Sequence, residues 1–370
     1  MKRTYQLTVI FLTVFFLGFV LFCWIKPAEE YSAAERRKLA QIPEFSMEAL
    51  KEGTFMTDFE KYALDQFPFR ENFRKLKAWV STSVFQKSDD HDIYVADGFA
   101  VKMEYPLKEK SLDDAGKKFQ TLYDKYLKDN GSKIYVSLIP DKNYFLAEKS
   151  GHLSMDYEKL FSVMQDKMPY AEFVNITELL TIEDYYSTDV HWRQEEIVDV
   201  AEMLADAMGA KISSDYDKKA LEGDFYGVYF GQSALNLPCE KLYYLTNDVL
   251  EQCTVYNYET KEKGGIYDMR KAAGKDPYEF FLSGPVSLLT IENPDANTDK
   301  ELIVFRDSFG SSLVPLLAEG YGKITLIDIR YIQSAFLEKY VDFTEKDVLF
   351  LYSTVVLNLS LIHISEPTRH

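Results

Sequence analysis

The chain has 370 residues, enough for one large domain or two smaller ones with a sizeable apolar core. Its formal net charge of −17 excludes attraction to nucleic acid or anionic lipid through bulk charge, and leaves neutral glycans open as partners. Three cysteines, with no Cys-x-x-Cys spacing and no Cys/His cluster, carry no zinc signature, so neither metal nor cofactor is expected.

Residues 1–3 form a short basic tip, and residues 4–25 hold no charged side chain, a run long enough to cross a bilayer as a helix. Lys2 and Arg3 would stay on the cytoplasmic side and place everything after Lys26 outside. A cleaved signal peptide is the competing reading, but no small-x-small site follows the run. A lipoprotein signal would modify Cys23, and Phe22 before it is too bulky. An uncleaved signal anchor is expected.

Residues 26–90 read as a helical juxtamembrane stalk, with apolar residues at helical spacing over 48–62 and 69–80 and a break at Pro68. From 91 to 360 strands and helices alternate. A hairpin is expected across Asp97-Gly98, pairing 92–95 with 100–103, then a helix over 112–129 stopped by Gly131. The continuous apolar run at 134–139 reads as a buried parallel strand ending at Pro140-Asp141-Lys142. Helix 161–168, strand 173–176 and helix 195–207 follow. Strand 302–305, a helix near 311–318 and strands 324–329 and 349–352 complete the pattern. The alternation implies an α/β domain with a mainly parallel sheet flanked by helices. Residues 210–300, rich in Gly, Tyr and Asn, read as an insertion lining the site or a β-rich lobe. Residues 361–370 look like translated sequencing-adapter sequence, and the natural C-terminus is then missing. A Cys239–Cys253 disulfide is open if the body is extracytoplasmic, with unpaired thiols the favoured reading, and both read as buried thiols if it is not.

The chemistry concentrates in two stretches. Thr188-Asp189-Val190-His191-Trp192 sets a carboxylate two residues before an imidazole, the arrangement that fixes a tautomer and prepares a general base. Asp189 also suits a helix N-cap, because helix 195–207 starts just after it. His91 lies in an acidic turn and His152 in a loop without an adjacent acid, which leaves His191 as the base candidate. The second stretch, 302–312, is an apolar strand running into a small-residue turn with Ser308 at the turn. Strand–turn–helix is the setting of a nucleophile elbow. The amides of Ser308 and Gly310, at a helix N-terminus, are the candidate oxyanion donors. Asp307 reads as a turn cap in preference to a supporting acid.

These two stretches resemble the DHHW proteins, which look related to the alginate O-acetyltransferases of the AlgX and AlgJ type within the SGNH hydrolase superfamily. The blocks Asp65-Gln66-Phe67-Pro68-Phe69-Arg70, Ile139-Pro140-Asp141-Lys142 and Asp328-Ile329-Arg330-Tyr331 add to the resemblance, which runs from about residue 30 to 358. Asp-x-His precedes Ser here, as in the alginate acetyltransferase branch, whereas other SGNH hydrolases carry Ser first. The chain departs from the pattern at Val190, where the second His of the motif stands, and at Asp307, where the alginate enzymes have glycine.

The resemblance implies an SGNH-hydrolase-like domain over 91–360 and a triad of Ser308 as nucleophile, His191 as base and Asp189 as orienting acid. It implies an acetyl-enzyme, a polysaccharide acceptor at the cell surface, and a membrane-bound O-acyltransferase as partner. Trp192, Arg330 and Tyr331 are the candidate substrate contacts, with a structural ion pair the favoured reading of Arg330. The rival expectation is a catalytically idle, membrane-tethered scaffold that binds glycan or assembly partners.

Overall fold

The computed structural model describes residues 2–32, 35, 37–235 and 237–359, without side-chain detail at Lys2, Arg3 and Trp24. The side chains of the expected basic tip and the whole of the tail at 361–370 therefore lie outside the described residues. The chain divides into two compact units, one of residues 1–91 with 230–236 and one of 92–229 with 237–370.

The smaller unit begins with helix α1 (Lys2–Ile25), whose stretch Thr4–Cys23 has a mean hydropathy of 2.4 and is long and apolar enough to cross a membrane. The helix expected over 48–62 is two helices, α2 (Met47–Glu52) and α3 (Thr54–Asp65). Gly53 separates them by taking a left-handed φ of 80°, a conformation that costs glycine nothing. Helix α4 (Arg70–Trp79) follows the turn at Pro68. The block 65–70 ties this unit together. Asp65 accepts two bonds from the Arg37 guanidinium at 2.6 and 2.8 Å and one from Ala40 N–H at 2.8 Å. Gln66 takes Glu29 N–H at 2.8 Å and donates to the carbonyls of Glu29 and Ala40. Arg70 pairs with Glu35. Arg74 donates to the carbonyls of Gly231 and Gln232, which fastens the returning segment to α4.

The larger unit is built on an eight-stranded sheet. Its strands in chain order are β1 (Lys133–Ile139), β2 (Glu172–Phe173), β3 (Thr254–Asn257), β4 (Glu262–Gly264), β5 (Leu288–Glu292), β6 (Glu301–Arg306), β7 (Lys323–Ile327) and β8 (Asp347–Ser353). Across the sheet they run β4-β3-β5-β7-β6-β8-β1-β2. The five from β7 to β2 are parallel, and β4, β3 and β5 add antiparallel partners at one side. Residues 210–300 therefore extend the main sheet and do not form a separate lobe. They also supply a small antiparallel pair, Asp217–Ala220 with Tyr243–Thr246.

The sheet is covered on both faces, which explains its continuous apolar strands. Along β6, Leu302 and Val304 join one core cluster while Ile303 and Phe305 join the other. Strand β8 alternates likewise, with Leu349 and Leu351 on one face and Val348, Phe350 and Tyr352 on the opposite one. Helices α5 (Glu109–Leu122), α6 (Lys142–Ser150), α7 (Tyr157–Lys167) and α8 (Val198–Ala207) flank it. The hairpin pairs Ile93–Ala96 with Phe99–Lys102, and Asp97 and Gly98 take the positive φ values that a two-residue turn of this hand requires.

Two expected helices are shorter than the sequence pattern indicates. Helix α8 starts at Val198 because Gln194–Glu196 form a tighter 3₁₀ turn. In that turn the Gln194 side chain accepts from Leu245 N–H and donates to the Ser312 carbonyl. After β6, only Gly310–Leu313 is α-helical, and Val314–Gly320 continues as 3₁₀. Pro315 has no N–H to offer the carbonyl four residues back, so the α pattern stops. The strand expected at 173–176 is two residues long.

Candidate active site

The parallel strands deliver Asp141, Ser308, Asp328 and Ser353 to the carboxyl edge of the sheet, just past β1, β6 and β7 and at the end of β8. Asp307 shapes the turn that carries Ser308. One of its carboxylate oxygens accepts Phe309 N–H at 3.0 Å, and the other accepts Ser353 N–H at 2.7 Å from the adjacent β8. Asp307 is thus the turn cap expected, and it also ties the turn to the neighbouring strand.

The loop that carries His191 folds back on itself. Tyr185 bridges Trp192, and Tyr186 N–H donates to the His191 carbonyl at 3.1 Å. Two charged groups, half-buried Glu240 and buried Lys142, grip the loop backbone. Glu240 accepts the N–H groups of Ser187 and Thr188 at 2.7 and 2.8 Å and the Thr188 hydroxyl at 2.8 Å. Lys142, at the start of α6, donates to the carbonyls of Tyr186 and Ser187 at 2.9 and 3.1 Å. Burial pushes the Lys142 ammonium down to about 7, against the opposing pull of Asp189, Glu240 and Asp141.

Asp189, His191 and Ser308 stand in line. The His191 Nδ1 lies 2.6 Å from Asp189 Oδ1, and its Nε2 lies 2.8 Å from Ser308 Oγ. An ionised carboxylate only accepts, so Nδ1 carries the proton and Nε2 is left to accept from the serine hydroxyl. Asp189 is fully buried, and its second oxygen accepts Val228 N–H at 2.8 Å. The imidazole stacks on the Tyr278 ring at 4.0 Å and 7°. Tyr278 is held in turn by its hydroxyl, which donates to Ser312 Oγ at 2.8 Å. Tautomer, ring plane and position of the imidazole are each set by a separate contact. The arrangement is a hydrogen-bonded acid–base–hydroxyl relay, with 12 % of the imidazole side chain left open to solvent.

The oxyanion expectation divides. Gly310 N–H donates to the Asp307 carbonyl at 3.2 Å, so the turn already uses it. Gly310 is needed for space, because a Cβ there would lie 2.9 Å from the Cβ of buried Arg306. Among the described residues the Ser308 N–H makes no hydrogen bond, and it remains the candidate donor. The short α turn after it supplies little of the helix-terminal charge expected.

The candidate substrate contacts fare differently. The Trp192 indole is fully buried, donating to the Phe309 carbonyl at 3.1 Å and to Ser312 Oγ at 3.0 Å. A substrate contact through that ring is therefore corrected to a structural role, bracing the turn behind Ser308. Arg330 is clamped by Asp328 at 2.9 and 2.7 Å, the structural ion pair favoured above. Tyr331 is exposed, with the Arg330 guanidinium 5.4 Å from its ring centre. Cys239 and Cys253 are free thiols, the first exposed and the second buried, with burial pushing the Cys253 thiol up to about 11. Among the described residues no group of three or more His, Cys, Asp or Glu is placed to hold a metal.

No protein-family model matches this sequence, and no protein of curated function does. Solved structures do match. The fold is similar to that of a DHHW family protein from Eubacterium siraeum DSM 15702, at 18 % identity and a TM-score of 0.57, over 72 % of this chain and 91 % of that one. It is similar to Bacillus cereus PatB1, solved with a sulfonyl adduct, at 19 % identity and a TM-score of 0.56, over 74 % of this chain and all of that one. The O-acetyltransferase domain of Pseudomonas putida AlgJ aligns more loosely, at 10 % identity and a TM-score of 0.44, over 72 % of this chain and 92 % of that one. The resemblance read from the sequence holds at the level of fold: a mainly parallel α/β sheet flanked by helices, shared with the DHHW family protein and with PatB1.

Four groups at the site escape sequence reasoning or were read only as family blocks: Tyr278, Glu240, Lys142 and the backbone at 227–228. Lys142 had a signal in the Pro140-Asp141-Lys142 stop after a buried strand; the others depend on tertiary contacts with no local spacing. Gly227 is the least replaceable. Its N–H donates to Thr188 Oγ1, and a Cβ there would fall 2.3 Å from the Asp189 backbone. Gly227→Ala must displace Asp189, so turnover is expected to fall by about 10²-fold or more, with a lower Tm; steady-state kinetics and thermal melting check both.

Behind the loop, Asp141 accepts from the Tyr157 and Thr354 hydroxyls and from Asn143 N–H. Burial, with the Asp141 charge adding, pushes nearby Glu104 up to about 7 from 4.5. A carboxyl with a raised native pKa contributes stability below its unfolded value and loses it as pH rises through the native one. Glu104→Gln is therefore expected to raise Tm above pH 7 and to leave it nearly unchanged below pH 4.5. Calorimetry across that window tests the sign, and an equal gain at both ends would contradict it.

Proposed function

We propose that this chain is a membrane-anchored, extracytoplasmic O-acetyltransferase or acetylesterase acting on a cell-surface or exported polysaccharide. The observation that carries the reading is the unbroken line from Asp189 through His191 to Ser308, at 2.6 and 2.8 Å. The fold shared with a DHHW protein and with PatB1, the latter solved with a sulfonyl adduct, supports it. Helix α1 is the anchor in this reading, and residues 26–90 are its stalk.

In the first half-reaction, Ser308 Oγ attacks the acetyl carbonyl of the donor as His191 Nε2 takes the hydroxyl proton. Asp189 stabilises the imidazolium, and Ser308 N–H faces the developing oxyanion. Collapse expels the donor's leaving group, which takes the proton from His191 and leaves an acetyl ester on Ser308. In the second half-reaction a glycan hydroxyl surrenders its proton to His191 and attacks that ester. Ser308 leaves with the proton, and the acetyl group ends on the sugar. Water in place of the glycan gives hydrolysis. The reading places a membrane-bound O-acyltransferase upstream as the source of acetyl groups.

Incubation with para-nitrophenyl acetate, and separately with a sulfonyl fluoride, tests the reading by intact mass and peptide mapping. An acetyl or sulfonyl adduct on Ser308 supports it. Adducts elsewhere only, or none with either reagent, would sink it.

A further inference from the structure

The apolar turn at Phe67-Pro68-Phe69 has no place in the chemistry above, yet it is the most aromatic part of the smaller unit's block 65–70. Phe67 and Phe69 are 39 % and 60 % exposed, and Phe73 beside them on α4 is 49 % exposed. Phe69 takes a left-handed φ of 56° as it starts α4, and its ring remains on the outside. Large rings displayed in this way in water are unfavourable.

Their neighbours indicate what covers them. Phe67 packs on Phe19 at 5.4 Å, and Phe69 stacks on Phe22 at 5.9 Å and 15°. Phe67 also meets Phe73 edge-on at 5.6 Å, so a continuous row of rings runs from α1 onto α4. Phe19 and Phe22 belong to the apolar stretch Thr4–Cys23, none of which is buried within the protein. At the helical rise of 1.5 Å per residue, Phe19 lies about 6 Å inside the Cys23 end of that stretch. Wherever α1 places its last turn in a bilayer, Phe67 and Phe69 are carried to the same depth.

The polar groups of the turn are already satisfied inward. Asp65 is taken by Arg37, Arg70 by Glu35, and Gln66 by the backbone of Glu29 and Ala40. The turn itself can then enter an apolar layer without stranding a charge, with Glu71 and Lys77 beside Phe73 left at the polar boundary. Aromatic rings at the membrane boundary are a favourable placement in themselves.

We propose that the Phe67-Pro68-Phe69 turn, with Phe73, is a lipid-inserting surface that enters the leaflet holding the Cys23 end of α1. It rests on the reading of α1 as a membrane span. The smaller unit is then held to the bilayer at two places, a helix through it and an aromatic wedge in one leaflet. That limits how far the unit can tilt away from the membrane.

The test uses the full chain in phosphatidylcholine/phosphatidylglycerol nanodiscs, with Cys23→Ser and Cys239→Ser as background. Single variants Phe67→Cys, Phe69→Cys, Leu17→Cys and Lys110→Cys each carry an environment-sensitive fluorophore, and nitroxide on the lipid acyl chains is the quencher. The expected result is severalfold quenching at 67, 69 and 17, and none at 110. Quenching at 17 without quenching at 67 and 69 overturns the inference and leaves the span intact. No quenching at 17 removes the span and the inference with it. Because cysteine removes a packed ring, Phe69→benzoylphenylalanine in native membranes serves as the second measurement. A photoadduct to lipid supports the wedge, whereas an adduct only to protein, or no adduct, overturns it.

Discussion

Ser308→Ala is expected to lose turnover of an acetyl ester by on the order of 10⁴-fold or more, as removal of a triad nucleophile does elsewhere. The fold should be unaffected. The Ser308 side chain is bonded to His191, whereas the turn is held by Asp307 through Phe309 N–H and Ser353 N–H, and these bonds survive the substitution. The decisive comparison is kcat, intact mass and Tm of the variant beside the parent. Loss of turnover and of the acetyl adduct at an unchanged Tm fits a nucleophile. Turnover within tenfold of the parent would transfer the chemistry to another group, whereas no turnover in either protein would favour the idle-scaffold reading of the chain.

Asp189→Asn should cost nearly as much, and for a reason internal to the site. The carboxylate accepts from His191 Nδ1 at 2.6 Å, His191 N at 3.2 Å and Val228 N at 2.8 Å, among others. An amide has one accepting oxygen and one donating NH₂. If the NH₂ faces Val228, two N–H groups collide in a fully buried place. If it faces His191, the proton moves to Nε2 and the imidazole no longer accepts from Ser308. The first orientation costs stability and loses the charge that steadies the imidazolium, the second loses the base outright, and a fall of about 10⁴-fold in kcat is expected. A rescue at high pH, where hydroxide replaces the base, would separate this from collapse of the loop.

The parts of this protein that were readable from sequence are those in which one local pattern matches one physical need. Strand β6 announces itself because both of its faces are buried, so Leu302 to Phe305 are all apolar. The carboxylate before His191 and the serine past β6 were visible because the relay needs those side chains at loop positions beside regular elements. Trp192 misleads for a geometric reason. Neighbouring residues in an extended loop point to opposite sides, so the residue next to a base that faces the site faces the core. Tyr278 was not readable at all. It reaches His191 from a turn 87 residues later, and nothing near it in sequence marks a stacking partner. Gly310 stands out in the sequence for its amide, whereas its value lies in the space it leaves for the Arg306 side chain. Residues 210–300 look irregular because their strands are short and lie toward one side of the sheet, where each needs a distant partner before it is a strand.

Strand β8 sits between β6 and β1, in the middle of the five parallel strands, although it comes from residues 347–353. Until those residues have been synthesised and released, β6 and β1 each lack a central partner, and the Asp307 carboxylate lacks the Ser353 amide that holds the serine turn. The sheet therefore cannot close progressively from the N-terminus during synthesis. A nascent chain holds two apolar strand edges open until residues 347–353 emerge, and in that interval it is exposed to mispairing with other chains.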